Sequence, residues 1–500
     1  MSSTQIRNVS FFTAMAIVVA NMVGAGVFTS IGFQAAGFQF ATPKGVTFAP
    51  YFPILMLWLV GGIVALCGAL SYGELAAMFP RSGGEYNYLS KVYHPAFGFL
   101  SGWVSATVGF SAPVALACMA LGRYVSSVAP AVNGMLVAIG VLIIITSIHA
   151  YDIKAGSVFQ RYSTAVKVIL IVGFIIGGFF ITPTPENITI LPQENDWTLV
   201  FGSAFAINLA FVSFSYSGWN ASAYLSNEIV NPKRNVPRSL LMGTLVVTIA
   251  YLLLNYVFLY TVPVSELAAK QAADFNTPLE VGYLSADKIF GTGIGKTMAL
   301  MIALLLISSI SAMIFAGPRV TQVMGEDLPL LGKLAVRNNK GIPVFAILLQ
   351  STISLILILT ASFSTILFYI AFTLDIFTFS TVLGIFVMRS RRGRIRLRVK
   401  EIKSILEKDN VSETQKAVLE AELAEKEGII NTPYKTWGYP ITPFIFLVAT
   451  GWTMYFLLTQ RTQGSLIALA TVLLGLIIYF IDKASSQKGA KDDRPARIFE

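Results

Sequence analysis

Apolar positions in this chain are gathered into long runs, and polar positions into the gaps between them. Runs near the length needed to cross a bilayer, about 20 residues each, fall at 9–38, 52–79, 95–122, 132–150, 157–181, 200–226, 238–262, 293–317, 343–360, 364–388, 441–458 and 464–481. Twelve transmembrane helices are expected, making an all-α polytopic membrane protein. Two runs carry an interruption: Val23-Gly24-Ala25-Gly26-Val27-Phe28 in the first and Tyr216-Ser217-Gly218-Trp219-Asn220 in the sixth. Gly24 and Gly26 permit unwinding and leave amides uncovered by side chains. Unwound backbone at membrane depth persists only where it is buried in protein or lines a cavity. Two breaks at matching places in two halves therefore mark a candidate binding site.

The polar pattern divides the rest. Residues 1–388 form the expected ten-helix core, with halves at roughly 9–181 and 200–388; residues 389–439 are a polar insert, 440–483 carry helices eleven and twelve, and 484–500 are a tail. The insert opens with Arg389, Arg391, Arg392, Arg394, Arg396, Arg398 and Lys400, with Ile395, Val399, Ile402 and Leu406 at helical spacing. That pattern predicts a basic amphipathic helix lying on the inner leaflet and touching membrane lipid. Ser412 and Gln415 stand in capping-box spacing and predict a second, acidic helix to about Glu427, so the pair forms either a helical hairpin or a solvated linker. A short outer helix is expected within Asp274 to Lys288.

Composition agrees with the pattern: of 500 residues, 55% are apolar and 12% charged, which no ordinary soluble domain matches. With a cytoplasmic N-terminus the inner segments collect Arg81, Lys91, Lys154, Arg161, Lys233, Arg238, Arg337 and the group from Arg389. The outer ones hold only Lys44, Arg123, Lys270, Lys288, Lys296 and Arg461, so both termini are expected to be cytoplasmic. The net charge of +10 then reflects topology and lipid contact and calls for no nucleic acid. The first run is too long for a cleaved signal peptide and lacks a basic leader. Cys67 and Cys118 lie inside expected spans, which argues against an extracellular disulfide and a metal site. With only His94 and His149 and no nucleophile motif, neither an enzyme nor a cofactor is expected.

Four motifs resemble the amino acid, polyamine and organocation transporters, within them the L-type branch: Gly24 to Phe28; Pro80-Arg81-Ser82-Gly83-Gly84-Glu85-Tyr86; the stretch from Phe214 through Asn227-Glu228-Ile229 to Arg238; and Met324-Gly325-Glu326-Asp327. The resemblance implies a LeuT-type fold, five plus five helices in inverted repeat, with helices one and six broken around a midplane site. It implies amino acid transport. Animal relatives pair with a heavy chain through a cysteine after span three. Arg123 to Gly134 contains none, so no disulfide-linked heavy chain is expected and a prokaryotic inner membrane is favoured.

An amino acid substrate presents a carboxylate and an ammonium at fixed separation. Amides at Gly24, Ala25 and Gly26 suit the carboxylate, helped by the positive end of the following half-helix. Carbonyls at Val23 and from Phe214 through Ser215 and Tyr216 to Ser217 suit the ammonium. Close helix packing is the plainer role for either glycine motif. By the resemblance, Phe214 closes over substrate from outside, and Gly218, Trp219 and Asn220 border its side chain. Ala25 and Ser217 leave a modest pocket that favours small or mid-sized neutral side chains.

Lys167 lies within span five, where an intramembrane charge is a functional candidate by default. The resemblance implies contact with the unwound first helix in the place of sodium, hence sodium-independent transport; snorkelling to the interface is the alternative. Asp375 in span ten departs from the L-type pattern. It is either satisfied by hydroxyls such as Thr373 or Thr378, or titrates, or meets a cationic substrate. Glu85, Glu228, Arg234 and Arg319 are expected to form an inner ion-pair network, with Glu85 also a proton candidate. These residues favour a sodium-independent exchanger of neutral amino acids. The rivals are a proton-coupled symporter of neutral or cationic amino acids or polyamines, and a membrane nutrient sensor signalling through the insert.

Overall fold

A computed structural model describes residues 9–489, other than 39, 43–44, 48–50, 152, 184, 194–195 and 408–411. The described chain is almost wholly helical. Its one sheet is a small antiparallel hairpin, β1 (Phe40–Thr42) on β2 (Gly45–Thr47), paired Phe40 to Thr47, Ala41 to Val46 and Thr42 to Gly45.

The first apolar run becomes two helices, α1 (Phe11–Met22) and α2 (Ala25–Gly37), separated only by Val23 and Gly24 in extended backbone. Span two is α3 (Tyr51–Met78), followed by the short α4 (Glu85–Val92). Span three is α5 (Pro95–Val104) and α6 (Ser111–Val128), joined by a π-helical turn at Ser105–Gly109. Pro113 has no N–H to continue the α-helical ladder. Within the wider turn the Ser111 hydroxyl donates to the Ala106 carbonyl at 2.7 Å. Next come α7 (Gly134–Tyr151), α8 (Ile153–Ile181), the short α9 (Asp196–Val200) and α10 (Ser203–Tyr216).

After α10 the chain turns through Ser217–Asn220 into a 3₁₀ segment, Ala221–Leu225, and then into α11 (Pro232–Thr261). Two outer helices follow: α12 (Val264–Ala273), which was not expected, and α13 (Val281–Phe290), which is the helix expected within Asp274 to Lys288 and starts later than Asp274. The series closes with α14 (Thr292–Asp327), α15 (Gly332–Ala335), α16 (Val344–Thr360), α17 (Phe363–Leu406), α18 (Glu413–Ile430), α19 (Ile441–Gln460) and α20 (Thr462–Gly489).

Nine of the described helical segments are long and apolar enough to cross a membrane; Ala165–Ile181 and Val344–Thr360 are shorter apolar helices, and the sixth run is broken. Helix therefore stands at every expected span. The broken pair sits at the centre: α1 and α3 pack on α11, α2 packs on α10, and α6 packs on α14 and α16.

The insert corrects an expectation. No separate helix begins at Arg389, because α17 runs unbroken for 44 residues, about 66 Å at 1.5 Å per residue, well beyond the bilayer's apolar core. The basic segment continues span ten and folds back as a hairpin with α18, whose cap is the Ser412 hydroxyl accepting from the Gln415 amide. Arg398 pairs with Glu422 at 3.0 Å and Lys403 with Glu427 at 2.7 Å, while Lys91 reaches Glu425 at 2.8 Å. The Arg398 guanidinium holds the Glu422 carboxyl below the usual carboxylate range. Much of the basic face expected to meet lipid is thus turned to protein. The tail from 490 lies outside the described residues.

Candidate functional site

The two breaks face each other. α1 ends because Gly24 turns the chain into extended backbone, and α2 starts at Ala25 with no side chain capping its first turn. First-turn amides have no partner within a helix, so this end is an anion site in chemical terms. On the other side Gly218 adopts φ +93°, and a Cβ there would stand 3.0 Å from Asn21. Only glycine allows this approach of the second break to the first.

Between them lies a void of about 300 Å³ lined by Gly24, Ala25, Gly26, Phe214, Ser215 and Ser217, among others. It shares Asn21, Phe214 and Ser217 with a larger cavity of about 1260 Å³, partly open to solvent, which reaches Gly218, Trp219, Asn220, Glu85 and Asp375. Tyr216 also borders the larger cavity, but its hydroxyl donates to the Trp58 carbonyl at 3.1 Å, which fixes the ring in packing. Trp219 meets Tyr72 edge to face with ring centroids 4.6 Å apart.

The two glycines of the first motif differ. A Cβ on Gly26 would lie 2.5 Å from the Ser215 hydroxyl oxygen and 2.7 Å from its Cα, so Gly26 serves close packing of α2 on α10. A Cβ on Gly24 would meet nothing nearer than the Ser309 hydroxyl oxygen at 3.9 Å. Both residues line the void, but only at Gly24 is there room for an added methyl.

The Lys167 side chain is fully buried. Its ammonium donates to the Val23 carbonyl at 2.6 Å, the Ala20 carbonyl at 3.2 Å and the Ser309 hydroxyl oxygen at 2.9 Å. Snorkelling to the interface is excluded by this position. Ser309 also donates to the Val23 carbonyl at 3.0 Å. That carbonyl, expected to take the substrate ammonium, is therefore already occupied twice. The Ser215 carbonyl accepts from the Tyr251 hydroxyl at 3.1 Å, and the Phe214 carbonyl from the Ser217 amide at 3.0 Å. The Ser215 hydroxyl donates to the Phe211 carbonyl at 2.8 Å. Of the four acceptors expected from Phe214 to Ser217, only the carbonyls of Tyr216 and Ser217 stand where the helix ends without one of these bonds.

The carboxylates separate into different roles. Glu85 belongs to no ion pair among the described residues, contrary to expectation: one oxygen accepts from the Tyr72 hydroxyl at 2.8 Å and the Asn220 amide at 2.6 Å, while the other is buried with no partner. Glu228 does pair with Arg319, at 3.5 Å, and lines a separate cavity with Arg81, His149 and Arg337. Arg234 has no ion pair among the described residues.

At Asp375 the expected hydroxyls are spent elsewhere. Thr373 donates to the Tyr369 carbonyl at 2.5 Å and Thr378 to the Leu374 carbonyl at 3.0 Å. One Asp375 carboxylate oxygen is left buried without a hydrogen bond.

Two residues were not singled out by sequence, Tyr251 at this centre and Glu74 outside it. Tyr251 donates to the Met22 carbonyl at 2.6 Å as well as to Ser215, tying the two broken helices together; a tyrosine in an apolar run gives no signal of this. Glu74 is fully buried in α3, holds Arg389 at 2.7 Å and accepts from the Thr436 amide at 2.7 Å. A lone carboxylate inside a span is the sequence signal that marks it. Cys67 and Cys118 are buried free thiols. No group of three or more potential metal ligands occurs among the described residues.

The family model described as amino acid permease matches residues 9–478. The b(0,+)-type amino acid transporter 1 of Mus musculus is 28% identical over 399 residues, covering 77% of each chain. The serine/threonine exchanger SteT of Bacillus subtilis (strain 168) is 27% identical over 390 residues, 77% of this chain and 84% of that one. The large neutral amino acids transporter small subunit 2 of Mus musculus is 27% identical over 407 residues, 78% of this chain and 71% of that one.

Proposed function

The chain belongs to the amino acid permease family, and from that premise we propose that it carries amino acids across the membrane by alternating access, exchanging one for another without sodium. The observation that carries the sodium-independent part is Lys167. Its ammonium sits among two carbonyls and a hydroxyl at the end of α1, an oxygen set of the kind that suits a hard cation. A fixed ammonium there supplies the positive charge that a coupling ion would otherwise bring.

In this proposal the substrate carboxylate meets the first-turn amides of α2 beside Gly24, and its ammonium meets the carbonyls of Tyr216 and Ser217. Phe214 and Ser217, which border both cavities, stand between the α-carbon and the side-chain space. The names of the relatives support amino acids as substrates, neutral ones among them, and exchange as the mode. The Bacillus relative supports a bacterial inner membrane as the setting. The Lys and Arg asymmetry supports cytoplasmic termini. Arg394, Arg396 and Lys400, which have no ion pair among the described residues, are the cations proposed to meet anionic lipid.

The test is counterflow. Full-length protein in proteoliposomes loaded with a neutral amino acid should accumulate the labelled amino acid, and empty vesicles should not. Equal uptake into empty vesicles under a pH gradient would replace exchange with proton symport. Binding without flux would make the chain a sensor.

A further inference from the structure

The larger cavity holds two carboxylates, Glu85 and Asp375, and no lysine, arginine or histidine among its described lining residues. Glu85 is engaged by Tyr72 and Asn220. Asp375 is not engaged: the nearby threonine hydroxyls serve backbone carbonyls, and one carboxylate oxygen is buried without a partner. A charge taken out of water without a counter-charge is costly, and such groups inside a membrane are paired in the working state. No partner comes from the described chain. The cavity that Asp375 lines adjoins the void at the two helix breaks, with Phe214 and Ser217 lining both. A ligand whose α-carboxylate and α-ammonium occupy the breaks would extend its side chain toward this space.

We propose that Asp375 is the side-chain subsite for a cationic amino acid, one ending in an ammonium or a guanidinium. The inference rests on the amino acid transport proposed above and extends its substrate class. A neutral side chain leaves the carboxylate uncompensated, whereas a cationic one gives it a charge-assisted hydrogen bond. Asp375 thus determines specificity, while the helix breaks recognise the part common to all α-amino acids.

The experiment compares arginine with citrulline, which have nearly the same shape and differ in charge. Full-length protein is reconstituted in proteoliposomes loaded with both unlabelled compounds, at one pH inside and out, and counterflow of each label is measured. The expected arginine-to-citrulline ratio for the parent is about tenfold or more, the range of one hydrogen bond to a charged group. Asp375→Asn should bring that ratio near one, whatever happens to the absolute rates, and Asp375→Glu should keep it above one. A parent ratio near one overturns the proposal without any variant, and so does an unchanged ratio in Asp375→Asn. In a second arm with an inward pH gradient, citrulline entry that needs both the gradient and Asp375 also overturns it, making the carboxylate a proton site. Exchange of alanine with neither test compound overturns the subsite alone, whereas no exchange of any labelled α-amino acid overturns the transport reading and the subsite together.

Discussion

Gly24 and Gly26 are two residues apart, yet a methyl added to each should fail in opposite ways. At Gly26 the new Cβ falls 2.7 Å from the Ser215 Cα, a backbone atom, so α2 and α10 must separate. Overpacking of that kind costs about 1–3 kcal/mol, and Gly26→Ala should melt several degrees below the parent in detergent. At Gly24 the nearest atom to the new Cβ is 3.9 Å away and the backbone is extended at φ −134°, which alanine adopts freely. Stability should stay within about 0.5 kcal/mol of the parent, the usual range for a substitution that meets nothing.

The Gly24 methyl nevertheless enters the space beside the α2 amides. The apparent affinity for amino acid in counterflow should fall about tenfold, as for one lost hydrogen bond to a charged group. Melting by fluorescence-detected gel filtration and counterflow KM are read on the same preparations. A Gly24→Ala protein with parental KM would refute the location of the carboxylate site. A Gly26→Ala protein with parental stability would refute the packing argument.

Two further outcomes follow from buried contacts. Lys167→Ala removes the ammonium from three oxygen partners, and initial exchange rates should fall at least tenfold while the protein still reaches the membrane, checked by rate and surface labelling together. Glu74→Ala strands Arg389 and Arg392 around a buried site, so the melting temperature should drop by several degrees, in line with about 3–5 kcal/mol for a broken buried pair.

Much of this architecture was legible because membrane helices announce themselves in apolar runs, and the two glycine breaks stand out within them. What escaped depended on which face of one helix meets another far away in sequence. Gly26 looks like Gly24 in the chain; only the approach of α10 makes it a packing glycine. By sequence the Val23 carbonyl is a candidate for the substrate ammonium; in the structure Lys167 and Ser309, from α8 and α14, donate to it. The basic run after Arg389 has the composition of an interfacial helix. Its union with span ten reflects partners, Glu74 and the acidic face of α18, that local pattern does not reveal.

In the proposed exchange an ammonium at the end of α1 stands in for a coupling cation. The most direct measurement is counterflow of a labelled amino acid into loaded proteoliposomes, with external sodium replaced completely by N-methylglucamine. Initial rates should be the same in both media. Uptake that requires sodium, or a sodium gradient that drives accumulation into empty vesicles, would contradict that role for Lys167.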